Sequence, residues 1–86
     1  MTKVKFTEWK GRYRIECEDH AGSQEVCSAI SMLLFTLANF VADKGNFSLE
    51  SGNSYVEYGG SRVPYDMVKG GFEMLARDFP ENVKII

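Results

Sequence analysis

RYRIECEDHAGSQEVCSAISMLLFTLANFV, residues 12 to 41, changes its hydrophobic period partway along. From Arg12 to Glu18 the apolar side chains of Tyr13, Ile15 and Cys17 alternate with Arg12, Arg14, Glu16 and Glu18. Period two belongs to a half-buried strand, whose successive side chains leave opposite faces. After Gly22 and Ser23, the residues Ile30, Leu33, Leu34, Leu37, Phe40 and Val41 recur at spacings of three and four, which is the period of a helix laid on a sheet. The pattern predicts a helix from about Ser23 or Glu25 to Lys44, where Lys44-Gly45 would stop it. Met32, Phe35 and Ala42 carry apolar character round to a second side. One sheet face cannot cover so wide a surface, and a second copy of the chain is expected over part of it.

Upstream, KVKFTEW (3–9) sets Val4 and Phe6 against Lys3, Lys5 and Thr7, and Lys10-Gly11 supplies the turn of a first hairpin. Downstream, NFSLESGNSYVEYGG (46–60) reads as a second hairpin, with Phe47 and Leu49 on one strand, Val56 and Tyr58 on the other, and SGNS turning between them. Pro64 suits the first turn of a second helix with the buried stripe Tyr65, Val68, Phe72, Leu75 and Phe79, and Glu73 can pair with Arg77 on its wet side. Gly70-Gly71 inside that helix implies either close approach of another backbone or a break. Pro80 ends the helix and NVKII (82–86) offers a last short strand. The expected fold is α+β, in the order β-β-α-β-β-α-β, a single domain over residues 1–86 with a mostly antiparallel sheet and two helices.

An 86-residue chain buries only roughly 60% of the surface its unfolded form exposes. The core is thin, and self-association would relieve that. The net charge of −2, without a basic cluster, supplies no footprint for nucleic acid or an anionic bilayer. The segment Ala29–Ala42 carries Ser31, Thr36 and Asn39 and falls short of the roughly 20 residues of a membrane span. With no secretory pattern at the N-terminus, the chain reads as cytoplasmic, with Cys17 and Cys27 reduced.

His20, the only histidine, stands seven positions ahead of Cys27. Cysteine attacks as thiolate, which positive potential at a helix N-terminus favours, and backbone N–H groups there can hold an oxyanion. His20 can take the thiol proton and return it to a leaving amine if the two come within hydrogen-bond reach. A helix extended back to His20 would separate them by about 10 Å along its axis. The loop must therefore fold back, and Gly22 permits it. The competing reading makes Cys27 a small packed side chain at the start of an apolar helix. Cys17 alternates with Ile15 and turns toward the core as a structural residue. Cys17, His20 and Cys27 lack the fourth ligand that structural zinc wants, so no metal is expected. Ser31, one turn beyond Cys27, either bonds a group in the site or back-bonds to its own helix. Tyr55, Tyr58 and Tyr65 either line a peptide groove or pack.

DHA at 19–21, CSAIS at 27–31 and FPENVKI at 79–85, in this order and spacing, resemble the bacterial ribosomal-processing cysteine proteases along the whole chain. The resemblance implies Cys27 as nucleophile, His20 as general base and acid, and Ser31 in support. It also implies a homodimer without cofactor or metal, which removes a short N-terminal extension from ribosomal large-subunit protein twenty-seven by cleaving after an aromatic residue. Two departures from that pattern stand out. Asp19 occupies the place of a glycine, adding a Cβ and a charge at a turn, and the six residues between His20 and Cys27 form a shorter loop than the family's. The rival function is a non-catalytic dimeric module that shares the fold and binds a protein partner.

Overall fold

The computed structural model describes residues 1–86. Strands β1 (Thr2–Trp9) and β2 (Arg12–Glu18) form the first hairpin; Lys10 and Gly11 between them have φ of 47° and 79°. Two consecutive positive φ values make the tight turn whose twist matches that of the flanking strands. Helix α1 (Gln24–Phe40) follows, then the hairpin of β3 (Gly45–Glu50) and β4 (Asn53–Gly59), helix α2 (Val63–Asp78) and strand β5 (Val83–Ile85). The sheet order is β3-β4-β2-β1-β5, antiparallel except for the outermost pair, in which β5 runs parallel to β1. This is the α+β, β-β-α-β-β-α-β arrangement that the alternating periods predict.

Register explains the two faces. Val4 lies opposite Cys17, Ile15 opposite Val56, and Cys17 opposite Ser54, and partners across a ladder share a face. Val4, Ile15, Cys17 and Val56 are buried with Val26, Ile30, Leu34 and Leu37 of α1 and Tyr65, Val68 and Phe72 of α2. Both helices thus cover one face. The other face is polar: Arg14 donates to Glu16 at 2.8 Å and Glu57 at 3.0 Å, and its guanidinium lies 4.1 Å from the Tyr55 ring centroid. Tyr58 and Tyr65 are core residues, and Tyr55 lies on the face away from the helices, against the Arg14 guanidinium. The buried Tyr58 hydroxyl also donates to the Ser61 carbonyl at 2.7 Å and accepts from the Tyr65 N–H at 2.9 Å. It thereby satisfies one of the amides that the first turn of α2 leaves without an intrahelical partner.

Several local expectations are corrected. Helix α1 ends at Phe40, not Lys44, because Gly45 is the first residue of β3 and not a helix stop. A Cβ at Gly45 would run into the Glu57 carbonyl oxygen and the Tyr58 backbone, so the glycine serves strand pairing. Phe40, expected in the buried stripe, is 73% exposed in the last turn, and Phe79 lies outside α2. The Gly70-Gly71 pair neither breaks α2 nor admits another backbone: a Cβ at Gly71 would stand 2.7 Å from Leu33 Cδ2 of α1, while Gly70 faces open space. Arg77 pairs with the adjacent Asp78 at 3.0 Å instead of with Glu73. No helix is long and apolar enough to cross a membrane.

Candidate active site

A cavity of about 260 Å³ opens at one end of the helix-covered face, and His20, Cys27 and Ser31 all line it. Its floor is Cys17, Leu49 and Ser54 of the sheet, and one wall is the α1 stripe Cys27, Ile30, Ser31, Leu34 and Phe35. Asp19, His20 and the turn from Glu50 to Asn53 make the rim.

Cys27 owes its position to the start of α1. Ser23 caps the helix from an extended backbone (φ −142°, ψ 126°), and its Oγ accepts from the Val26 N–H at a long 3.4 Å. The Cys27 N–H already donates to the Ser23 carbonyl at 2.9 Å, so it is the first amide inside the helical ladder. The amides ahead of it, those of Gln24 and Glu25, have no partner in the chain and point out of the helix end. Those two are the donors available to an anion at this terminus. Cys27 is half-buried, which leaves its sulfur reachable from the cavity.

His20 lies outside the helix on a segment that the fold ties down at three points. The Asp19 N–H donates to the Gly52 carbonyl at 2.9 Å, the Thr2 hydroxyl donates to the Asp19 carbonyl at 3.0 Å, and the Asn82 side-chain amide donates to the Ala21 carbonyl at 2.7 Å. The backbone reverses between these ties. Asp19 has φ 68° and Gly22 has φ 79°, both in the left-handed region that glycine enters without cost and aspartate tolerates better than most residues. A glycine is thus the natural occupant of position 19, and the aspartate fits there at some strain. Its carboxylate faces Lys3 Nζ at 3.6 Å across solvent.

The exposed imidazole rests on the β3–β4 turn. A Cβ built on Gly52 would come 3.1 Å from His20 Nε2, and Gly52 has φ 81°. Two properties of this glycine therefore serve the site: a backbone that other residues rarely adopt and an absent side chain that makes room for the ring. In this arrangement the ring makes its contact with Gly52 and no hydrogen bond with Cys27.

Cys17, at the floor, is buried, whereas Cys27 is only partly so. Burial pushes its thiol up to about 12, so it stays protonated and inert at neutral pH. The two cysteines that the strand and helix periods separate are thus one buried thiol and one accessible one. No group of three or more His, Cys, Asp or Glu side chains is placed to hold a metal ion. Glu50, Ser51, Gly52 and Asn53 were not expected at the site, since SGNS reads from sequence only as a turn. The glycine of SGNS signals the positive φ that a two-residue turn needs, which marks the turn but not the ring that packs on it.

A comparison with curated proteins finds no match. The sequence model of a family described as cysteine protease Prp matches residues 1–84, a span that takes in β1 through nearly all of β5 and every residue lining the cavity. With the histidine and the accessible cysteine on one cavity and the match running the length of the fold, the chain belongs to the Prp family of cysteine proteases and is a hydrolase.

Proposed function

We propose that this protease uses Cys27 as nucleophile and His20 as general base and acid, with Ser31 in support, to remove the N-terminal extension of ribosomal large-subunit protein twenty-seven in the cytoplasm. The observation that carries the assignment is the shared cavity: an accessible thiol at a helix N-terminus and the chain's only imidazole line it from different elements. When peptide enters, the His20 ring, still seated against the Gly52 turn, rotates toward Cys27 and takes its proton. The sulfur adds to the scissile carbonyl, and the oxyanion that forms is stabilised by amide donors at the helix end. Collapse of that intermediate expels the amine, which leaves with the proton held by His20, and a thioester stays on Cys27. Water, deprotonated by His20, then releases the acid and restores the thiol. The Ser31 side chain, in the same wall one turn further on, supports the site by hydrogen bonding to bound peptide.

The enzyme acts as a homodimer. Support comes from apolar surface between the outer sides of α1 and α2, where Met32 is 67% exposed, Met67 74% and Met74 56%. Patches of this kind on a short chain mark contact surfaces.

Incubation of the wild-type protein, Cys27→Ala and His20→Ala with peptides covering the N-terminus of that ribosomal protein from the same cell tests the assignment. Cleavage after an aromatic residue by the wild type alone is expected. Cleavage by all three proteins, or by none, refutes it.

A further inference from the structure

The sheet has two outer strands. β5 is three residues long and lies at the far side from the cavity, whereas β3 borders it, because Leu49 and Glu50 belong to both the strand and the cavity lining. The register states which backbone groups of β3 are unused. The Gly59 N–H donates to the Lys44 carbonyl at 3.2 Å, which makes positions 44 and 59 a hydrogen-bonded pair. In an antiparallel ladder such pairs recur at every second residue. Asn46, Ser48 and Glu50 therefore bond inward to Glu57, Tyr55 and Asn53. Gly45, Phe47 and Leu49 turn their N–H and C=O groups outward, where the chain offers them nothing.

We infer that this outer edge of β3 is the strand on which the substrate peptide pairs, so that the polypeptide enters the cavity as a sixth strand. The inference rests on the protease reading above. Three features favour an extended peptide as occupant. The edge is continuous with the cavity through Leu49, whose backbone faces out while its side chain lines the floor. From Gly45 to Leu49 it spans roughly 14 Å at strand spacing, enough to hold about five peptide residues in the open conformation in which a backbone carbonyl is accessible to attack. Peptide residues opposite Phe47 and Leu49 would direct their side chains to the helix-covered side. There they meet Phe47, 46% exposed, Leu49, and Phe35 of α1, 51% exposed. Apolar side chains are preferred at those alternate positions. The residues between them project to the polar side of the sheet and are read loosely. Glu50 and Asp19 are the carboxylates of the cavity lining, and His20 is its only basic residue. A cationic residue is therefore favoured where the peptide passes the rim.

The test is a backbone N-methyl scan of a peptide that the wild-type enzyme cleaves. Single methyl groups, avoiding the scissile amide, should lower kcat/KM by about tenfold at every second position over some five residues, from lost hydrogen bonds and the blocked approach, with little effect between. Phe47→Pro removes an N–H that the sheet does not use, a change that edge strands tolerate. It should match Phe47→Ala in melting temperature and fall below it in kcat/KM by a further factor of about ten. A scan without alternation, or equal kcat/KM for the two Phe47 variants, overturns the inference and leaves the protease assignment standing. Conversion of dimer to monomer by Phe47→Pro, with the methylated peptides cleaved like the parent, also overturns it, because the edge would then join two copies of the chain. Failure of the wild type to cleave any unmethylated peptide overturns the protease reading itself, and the inference with it.

Discussion

Replacing Gly52 by alanine separates the fold's need for this residue from the site's. At φ 81° an L-residue costs about 1–2 kcal/mol, offset by about 0.4–1 kcal/mol because alanine restricts the unfolded chain. The net loss is about 1 kcal/mol, a fall in melting temperature of roughly 4–8 °C for a domain of this size. The enzyme stays folded. The new methyl, however, stands 3.1 Å from Nε2 and 3.6 Å from Cε1 of His20. The turn is held by the ladder, so the exposed ring yields, by a few tenths of an ångström. Misplacement by 1 Å at a reacting group costs about a hundredfold, so a loss of roughly three- to tenfold in kcat/KM is expected from a shift of this size. Gly11→Ala is the control: Gly11 has φ 79° and nothing within 4 Å of its would-be Cβ, so it carries the same backbone strain at the other hairpin, away from the ring. Peptide-cleavage kinetics and thermal melts of both variants decide the matter. Equal activity in the two, at matched melting temperatures, would show that the contact between Gly52 and the imidazole has no part in positioning it.

Tyr58→Phe leaves the buried Tyr65 N–H without an acceptor and the Ser61 carbonyl without a donor, and should cost about 2–4 kcal/mol in urea denaturation, with peptide cleavage retained well below the midpoint. Cys17, raised by burial from 9.0 to about 12, favours the fold while both states keep the proton. Above pH 9 the unfolded thiol ionises first, so stability falls as pH rises toward 12, and Cys17→Ala should flatten that fall in alkaline melts. Asn82→Ala removes the donor to the Ala21 carbonyl and should cost about 1–2 kcal/mol. Amide exchange should quicken over residues 19–22, and kcat should drop more than KM rises.

Local order was legible wherever it depended on neighbouring residues. Tyr13, Ile15 and Cys17 announce a strand, and the spacing from Ile30 to Leu37 announces a helix, because burial selects the side chains of one face. Lys10-Gly11 announces a hairpin through its backbone alone. Sheet order was not legible: β5 settles beside β1 and leaves β3 outermost, a choice among distant partners that no short window records. The site divides the same way. His20 and Cys27 stand out by residue type, whereas Glu50 to Asn53 reach the cavity only because the second hairpin folds over the start of α1. Gly45 illustrates the remaining ambiguity, since a glycine after an apolar run reads equally as a helix stop or as a strand position with no room for a Cβ.

The three ties on the histidine segment come from Thr2, Gly52 and Asn82, one near the start of the chain, one in its middle and one close to its end. During synthesis the last of these is added 55 residues after Cys27. The seat of the imidazole is therefore completed only once residue 82 is in place, whereas the start of α1 that carries Cys27 is capped locally, by Ser23 on the Val26 N–H.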